Sequence, residues 1–292
     1  MRALTAIAAL AGLCAAASPA AAIDIFPADY TVLPAGTNAV MIYGQYGTGD
    51  SLSIDLGGGV DVPQSELGVG IGIARYLHYT EIGGVPVGVQ AFLPFGGFSE
   101  ARIGGVDQIK EDGIGDLNVG VTAWPIHSAD PKGTTVGVTL YATLPTGAYD
   151  FAPNTVNLGS GTWTITPQIG IIQGLGGGFF FDGAVDVAFR GDHDEDGVEI
   201  SRDPSAQVQA YLRYQFSAGT NVAIGYSGTF GGKDFVNDNY AFTQTRVDQI
   251  RATASTFLTP TLQLSGMVGT DVNADGGFKN DFVGTIRLMK LF

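Results

Sequence analysis

From Asn38 to the last residue, apolar and polar side chains alternate in stretches of about 10–14 residues. Breaks rich in Gly, Pro, Asn and Asp separate the stretches. Around Arg213, the residues Val208, Ala210, Leu212, Tyr214 and Phe216 fall on one parity, and Gln207, Gln209, Tyr211, Arg213 and Gln215 on the other. Phe179, Phe181, Val185, Val187 and Phe189 likewise oppose Asp182, Asp186 and Arg190, and Leu262, Leu264 and Val268 oppose Gln263, Ser265 and Asp271. In the final stretch Phe282, Gly284, Ile286 and Leu288 oppose Thr285 and Arg287. A period of two belongs to a β-strand lying between two different surroundings.

Twelve strands are predicted, near Asn38–Gly47, Glu66–His78, Val85–Gly96, Gly115–Ile126, Thr134–Leu144, Thr162–Gln173, Gly178–Arg190, Ala206–Ser217, Asn221–Gly231, Thr245–Leu258, Thr261–Asp271 and Asp281–Phe292. In the second, Arg75 is in step with Val69, Ile71 and Ile73, which predicts a bulge or an interfacial position there. The breaks alternate in length. Tyr79–Gly84, His127–Gly133, Gly174–Gly177, Ala218–Thr220 and Thr259–Pro260 are short; Thr48–Ser65, Gly97–Ile114, Pro145–Gly161, Gly191–Ser205, Gly232–Gln244 and Val272–Asn280 are longer. A Greek-key sandwich has no reason to alternate in this way. An up-and-down transmembrane barrel does, with short periplasmic turns and longer extracellular loops.

Composition narrows the choice. Charged residues make up 14% of the chain, against about 25% in an average soluble domain, and 44 of the 292 residues are Gly. Beyond the first 22 residues no uninterrupted apolar run is long enough for a transmembrane helix. Only helices and closed barrels satisfy their backbone groups inside a bilayer. The expected fold is therefore a single antiparallel transmembrane β-barrel over residues 38–292. Its apolar parity meets lipid and its polar parity lines the lumen. Trp163, Phe179, Tyr214, Phe216 and Phe257, at strand ends, suit interfacial girdles. Residues 1–22 read as a secretory leader: Arg2, then an apolar core over Leu4–Ala17, then an A-x-A site at Ala20–Ala22. Export with cleavage near Ala22 would discard Cys14, the only cysteine. Ile23–Thr37 holds Pro27 and Pro34 without periodicity; it is expected at the periplasmic mouth or folded into the lumen. The net charge of −14 argues against nucleic acid as a partner. The expected surroundings are outer-membrane lipid and lipopolysaccharide.

Candidate chemistry is sparse. Asp182, Asp186, Arg190, Gln207, Gln209, Arg213, Gln249, Arg251 and Arg287 take the inward parity and are the lumen or solute-path candidates. Arg213, Arg251 and Arg287 lie on alternate strands at similar depth, with Asp182 opposite Arg213. They could clamp the wall, or form a basic arc that attracts carboxylate-bearing solutes. Asp192, Asp194 and Asp196, before Gly197, match the first half of a calcium loop. Asp203 stands where the closing Glu would be, and an acidic solvated loop is the simpler reading. A barrel enzyme would need a His on a strand beside a Ser. His127 and His193 lie off the strands and His78 sits at a turn. Gly225–Gly228 is not a nucleophile elbow, and no G-x-G-x-x-G precedes a helix. No catalytic residue and no cofactor is expected. Strand glycines are expected to relieve curvature.

Several segments together resemble one family. They are Asp29–Asn38 (DYTVLPAGTN), Ala74–Tyr79 (ARYLHY), Gly113–Leu117 (GIGDL), Leu144–Tyr149 (LPTGAY), Pro167–Gly170 (PQIG), Leu212–Tyr214 (LRY), Phe257–Leu264 (FLTPTLQL) and Ile286–Phe292 (IRLMKLF). The family is that of outer-membrane transporter-like proteins named for the meta-pathway of phenol degradation. One departure is Gly159–Trp163, where the family more often has Asn-Arg before the Trp. The resemblance implies passive passage of small organic, including aromatic, compounds. The alternative is a non-selective or structural surface barrel with a largely closed lumen. A terminal aromatic such as Phe292 resembles the tag read by the outer-membrane assembly machinery.

Overall fold

The computed structural model describes residues 23–292; the expected leader lies outside them. The twelve predicted strands form one antiparallel wall: β1 (Asn38–Gly49), β2 (Glu66–Ile82), β3 (Val85–Ile103), β4 (Leu117–Ile126), β5 (Thr134–Leu144), β6 (Thr164–Gly176), β7 (Phe179–Arg190), β8 (Ser205–Ser217), β9 (Thr220–Gly231), β10 (Arg246–Thr259), β11 (Leu262–Asp275) and β12 (Phe282–Leu291). Each pairs with its neighbours in sequence. The sheet closes where β1 pairs β12, from Ala39↔Leu291 to Thr48↔Phe282. Closure leaves no edge of unpaired backbone groups, the condition for crossing a bilayer with strands.

The two parities meet the two predicted surroundings. Val208, Leu212, Phe181, Val185, Val268, Ile286 and Leu288 are exposed on the outside, while Gln207, Gln209, Arg213, Asp182, Asp186 and Arg287 are buried. In water that arrangement would be inside out; against lipid it is the stable one. Phe179, Tyr214 and Phe216 form an outward aromatic cluster at the short-turn rim, with both ring pairs at 4.9 Å. Phe257 departs from the expected girdle. It continues the inward parity of Arg251, Thr253 and Ser255, opposite Gln263, and lines the periplasmic end of the lumen.

Strand β2 also departs from expectation. No irregularity occurs at Arg75, and the register of β2 shifts only between Gly68 and Val69. Here the lumen side is itself apolar: Ile71 and Ile73 line it beside Arg75. The outward parity carries Gly68, Gly70 and Gly72. Alternation on this strand therefore runs opposite to the pattern elsewhere.

The long loops carry structure of their own. Ser51–Asp55 pairs with Gly59–Asp61 and with Phe278–Lys279. His193–Glu195, Val198–Arg202, Asp234–Val236 and Asn239–Tyr240 form a four-stranded sheet. Asp194 there accepts a hydrogen bond from Gly197 N at 3.0 Å, and Asp196 takes a left-handed φ of 53° in the hairpin turn. Among the described residues, no three acids or histidines, Asp192, Asp194 and Asp196 included, converge on a cation position. The loop after β5 folds inward, where Thr155–Asn157 pairs in parallel with Ile109–Glu111 and Val156 and Leu158 pack against Ile71, Phe98 and Ala101.

Candidate functional site in the barrel lumen

The segment Ile23–Thr37 takes both of the places open to it: Ile23–Tyr30 lies in the lumen, and the chain then leads through the exposed Pro34–Gly36 at the rim into β1. Ile25, Phe26 and Tyr30 are buried in the lumen among Met41, Tyr43, Leu77, Tyr79, Trp124, Tyr211 and Met267. The segment has no regular structure, so its backbone groups must find partners on the wall. Ile25 N donates to Gln209 Oε1 at 3.0 Å, and Ala28 N to Asp182 Oδ1 at 2.9 Å. The Ile23 carbonyl accepts from both Gln168 and Gln209 at 3.1 Å. Trp124 Nε1 donates to the Tyr30 carbonyl at 3.0 Å.

Tyr30 shows why particular residues stand on the wall. Gly137 and Gly170 are direct partners across β5 and β6. A Cβ on Gly170 would lie 1.9 Å from the Tyr30 ring, and one on Gly137 2.4 Å from it. The two glycines are the niche for the ring, which goes beyond the curvature role expected of them. The Tyr30 hydroxyl then donates to Gln168 Oε1 at 2.8 Å and meets Thr139 Oγ1 at 3.1 Å.

Charge makes the second set of attachments. Arg251 Nη2 meets Asp24 Oδ2 at 2.9 Å, and Arg287 Nη1 meets Asp29 Oδ1 at 2.6 Å. Arg287 also lies over the Phe26 ring at 4.3 Å. Arg213 Nε meets Asp182 Oδ2 at 2.7 Å. That pair is diagonal, not directly opposite as expected: Tyr211 faces Asp182, and Phe180 faces Arg213. The Phe180 ring lies 4.2 Å from the Arg213 guanidinium. Each of the three arginines is thus paired with an acid that belongs to the segment or holds it. Arg213–Asp182, in which both side chains are buried, tolerates loss of one partner poorly, because the other charge is left uncompensated.

The remaining candidates have clear places. Asp186 accepts from Gln168 Nε2 at 2.9 Å. Gln207 donates to Asp24 Oδ1 at 2.9 Å, and Gln249 to Asp271 Oδ1 at 2.6 Å. Arg190 stands apart, in a cavity under the extracellular loops. Asp24, Asp29, Gln168, Trp124 and Arg75 were not among the sequence candidates. Arg75 donates to Tyr43 Oη at 3.1 Å and to Gln90 Oε1 through Nε at 2.9 Å. Its inward parity was the signal, hidden by the apolar residues that share it.

Two cavities flank the segment. The one toward the extracellular side, about 120 Å³, is walled by Phe26, Tyr43, Ile71, Ile73, Phe92 and Leu158 among others. The one toward the periplasmic side, about 340 Å³, is lined by Leu33, Leu77, Phe257, Met289 and the Arg213 and Arg287 side chains. Arg75 borders both.

The family described as "Putative MetA-pathway of phenol degradation" has a sequence model that matches residues 53–288. The chain belongs to this family. Among solved structures similar to this member of the family is the COG4313 outer membrane channel from Pseudomonas putida F1. It is 27% identical, with a TM-score of 0.85, covering 92% of this chain and 100% of that one. The transport unit of the autotransporter AIDA-I from Escherichia coli shares the barrel fold at 11% identity and a TM-score of 0.56, covering 97% of each chain. A comparison with curated protein sequences returns no match.

Proposed function

We propose that the chain is an outer-membrane channel through which small organic compounds, aromatic ones included, pass passively. The observation that carries this reading is the apolar and aromatic wall of the lumen cavity, above all Tyr43, Ile71, Ile73 and Phe92. A general water-filled porin lines its lumen with polar groups. Here the cavity wall offers apolar contact beside Arg75 and Asn118, which favours rings and alkyl groups over sugars. Likeness to a solved outer membrane channel over the whole of that chain supports the channel part, and family membership supports the link to aromatic compounds. On this reading the protein is exported and inserted in the outer membrane, Phe292 acts in assembly, and the polar lumen residues position the N-terminal segment along the solute path.

Buried attachment of Ile23–Tyr30 favours a second reading, a barrel that conducts nothing. Liposomes containing the refolded chain separate the two. The channel reading expects entry of small aromatic alcohols faster than entry of sugars of equal mass. Equal entry of both points to a non-selective pore, and no entry above protein-free liposomes to a closed barrel.

A further inference from the structure

Arg190 stands apart from the other lumen candidates, away from the N-terminal segment and the network that holds it. It ends β7 at the extracellular side and borders a cavity of about 340 Å³ between the loops that follow β5, β7 and β9. Among the described residues it makes no ion pair, and no hydrogen bond of its guanidinium to protein is found. Arg202, on the same cavity, is different: it pairs with Asp234 at 3.1 Å and donates to Gly232 O and Thr245 Oγ1.

Two of the acids around Arg190 are already committed. Asp234 holds Arg202 and accepts from Thr243 Oγ1 at 2.7 Å. Asp116 accepts from Gly147 N, Ser160 N and Ser160 Oγ at 2.6–2.9 Å. Asp150, the remaining acid of the lining, is exposed to solvent. A second polar side chain, His193, stands in the same wall. His193 Nδ1 is covered, beside the Gly191 backbone, while its Nε2 lies 3.4 Å from the Tyr149 hydroxyl. The rest of the wall is mainly apolar, with Phe151, Val198, Ile200 and Val236 facing the same space.

An unpaired guanidinium in a cavity with a largely apolar wall forms a half-site that calls for an anion on an apolar body. We propose that this cavity binds a small carboxylate carried on an apolar ring, with Arg190 receiving the carboxylate. The planar fork of Arg190 suits a carboxylate, and Tyr149 and Phe151 offer ring contact. Asn157 and Ser160 line this cavity while Leu158, between them, lines the lumen cavity. One inward-folded strip therefore separates the two, and the site stands at the outer entrance of the path. In that respect it rests on the channel reading and extends it to a class of solute.

Calorimetric titration of the refolded full chain with benzoate, and with benzamide as the uncharged analogue, tests the site. Benzoate is expected to bind the wild type. Arg190→Gln is expected to weaken it by roughly tenfold or more, the worth of one charge-assisted contact, with benzamide unchanged. Ile200→Trp, which fills the cavity without touching the charge, is expected to abolish binding of both. Absence of benzoate binding to the wild type overturns the proposal, as does equal binding by wild type and Arg190→Gln or by wild type and Ile200→Trp. Solute entry into liposomes is read separately. Benzoate binding without entry removes the channel and keeps the site; entry without benzoate binding does the reverse.

Discussion

Arg213 and Asp182 are each buried on the lumen wall, and Asp182 also accepts from Ala28 N. Replacing Arg213 with Ala leaves the buried Asp182 carboxylate with one backbone donor and no countercharge. The expected cost is about 3–5 kcal/mol, and Arg213→Ala combined with Asp182→Asn is expected to recover most of it. Urea unfolding in lipid vesicles, read by heat-modifiable migration, measures both; a double variant as weak as the single would place the cost elsewhere. Tyr30 makes a second prediction at this scale. Gly170→Ala puts a methyl group where the Tyr30 ring now lies, so the ring must leave its niche and the conductance of the barrel is expected to rise. Gly44→Ala, whose Cβ would meet nothing within 4 Å, is the control and is expected to leave conductance as it is. Residues such as Arg213 and Asp182 were legible as inward from parity alone. Asp24 and Asp29 were not, since an aperiodic stretch has no parity to assign them to a face.

At the scale of elements, the strands were legible because each lies between lipid and lumen, and two environments impose a period of two. That reading failed where the environments were alike, on β2, whose Ile71 and Ile73 face a cavity and whose opposite face is glycine. The N-terminal segment is the element that sequence reasoning could only place in one of two positions. Its lumen position changes what the three arginines do. Arg251 and Arg287 resemble an anion filter when the wall is considered alone, yet in the whole chain Asp24 and Asp29 neutralise them. A basic arc is exposed only if the segment leaves. Deleting residues 24–33 is therefore expected to raise single-channel conductance and to shift reversal potentials in a salt gradient toward anion selectivity. Adding Arg251→Gln and Arg287→Gln to the deletion is expected to remove that shift. A deletion variant with unchanged conductance would mean that the segment does not obstruct the path.

At the scale of the whole molecule, alternation of short and long connections decides which end faces the cell exterior. The turn at Gly177 and Gly178 joins β6 and β7 directly and uses left-handed φ values of 62° and 85°, while the loop at 191–204 between β7 and β8 builds two strands of the four-stranded sheet. Tight turns suit the periplasmic side, where nascent hairpins must cross the bilayer, and bulky structured loops suit the exterior. The chain offers a clean way to check this, because its one cysteine, Cys14, lies within the expected leader. A single Cys introduced by Asp194→Cys would stand on a half-buried to exposed loop strand, and one introduced by Gly177→Cys on a turn with nothing within 4 Å of its Cβ position. Gly177 has a left-handed φ, so Cys there carries about 1–2 kcal/mol of backbone strain, which a barrel turn can absorb without loss of the fold. A membrane-impermeant maleimide applied to intact cells is expected to label Asp194→Cys and to leave Gly177→Cys unlabelled until the outer membrane is permeabilised. The opposite pattern would invert the barrel, placing the Arg190 cavity in the periplasm and the Phe257-lined cavity at the outer mouth.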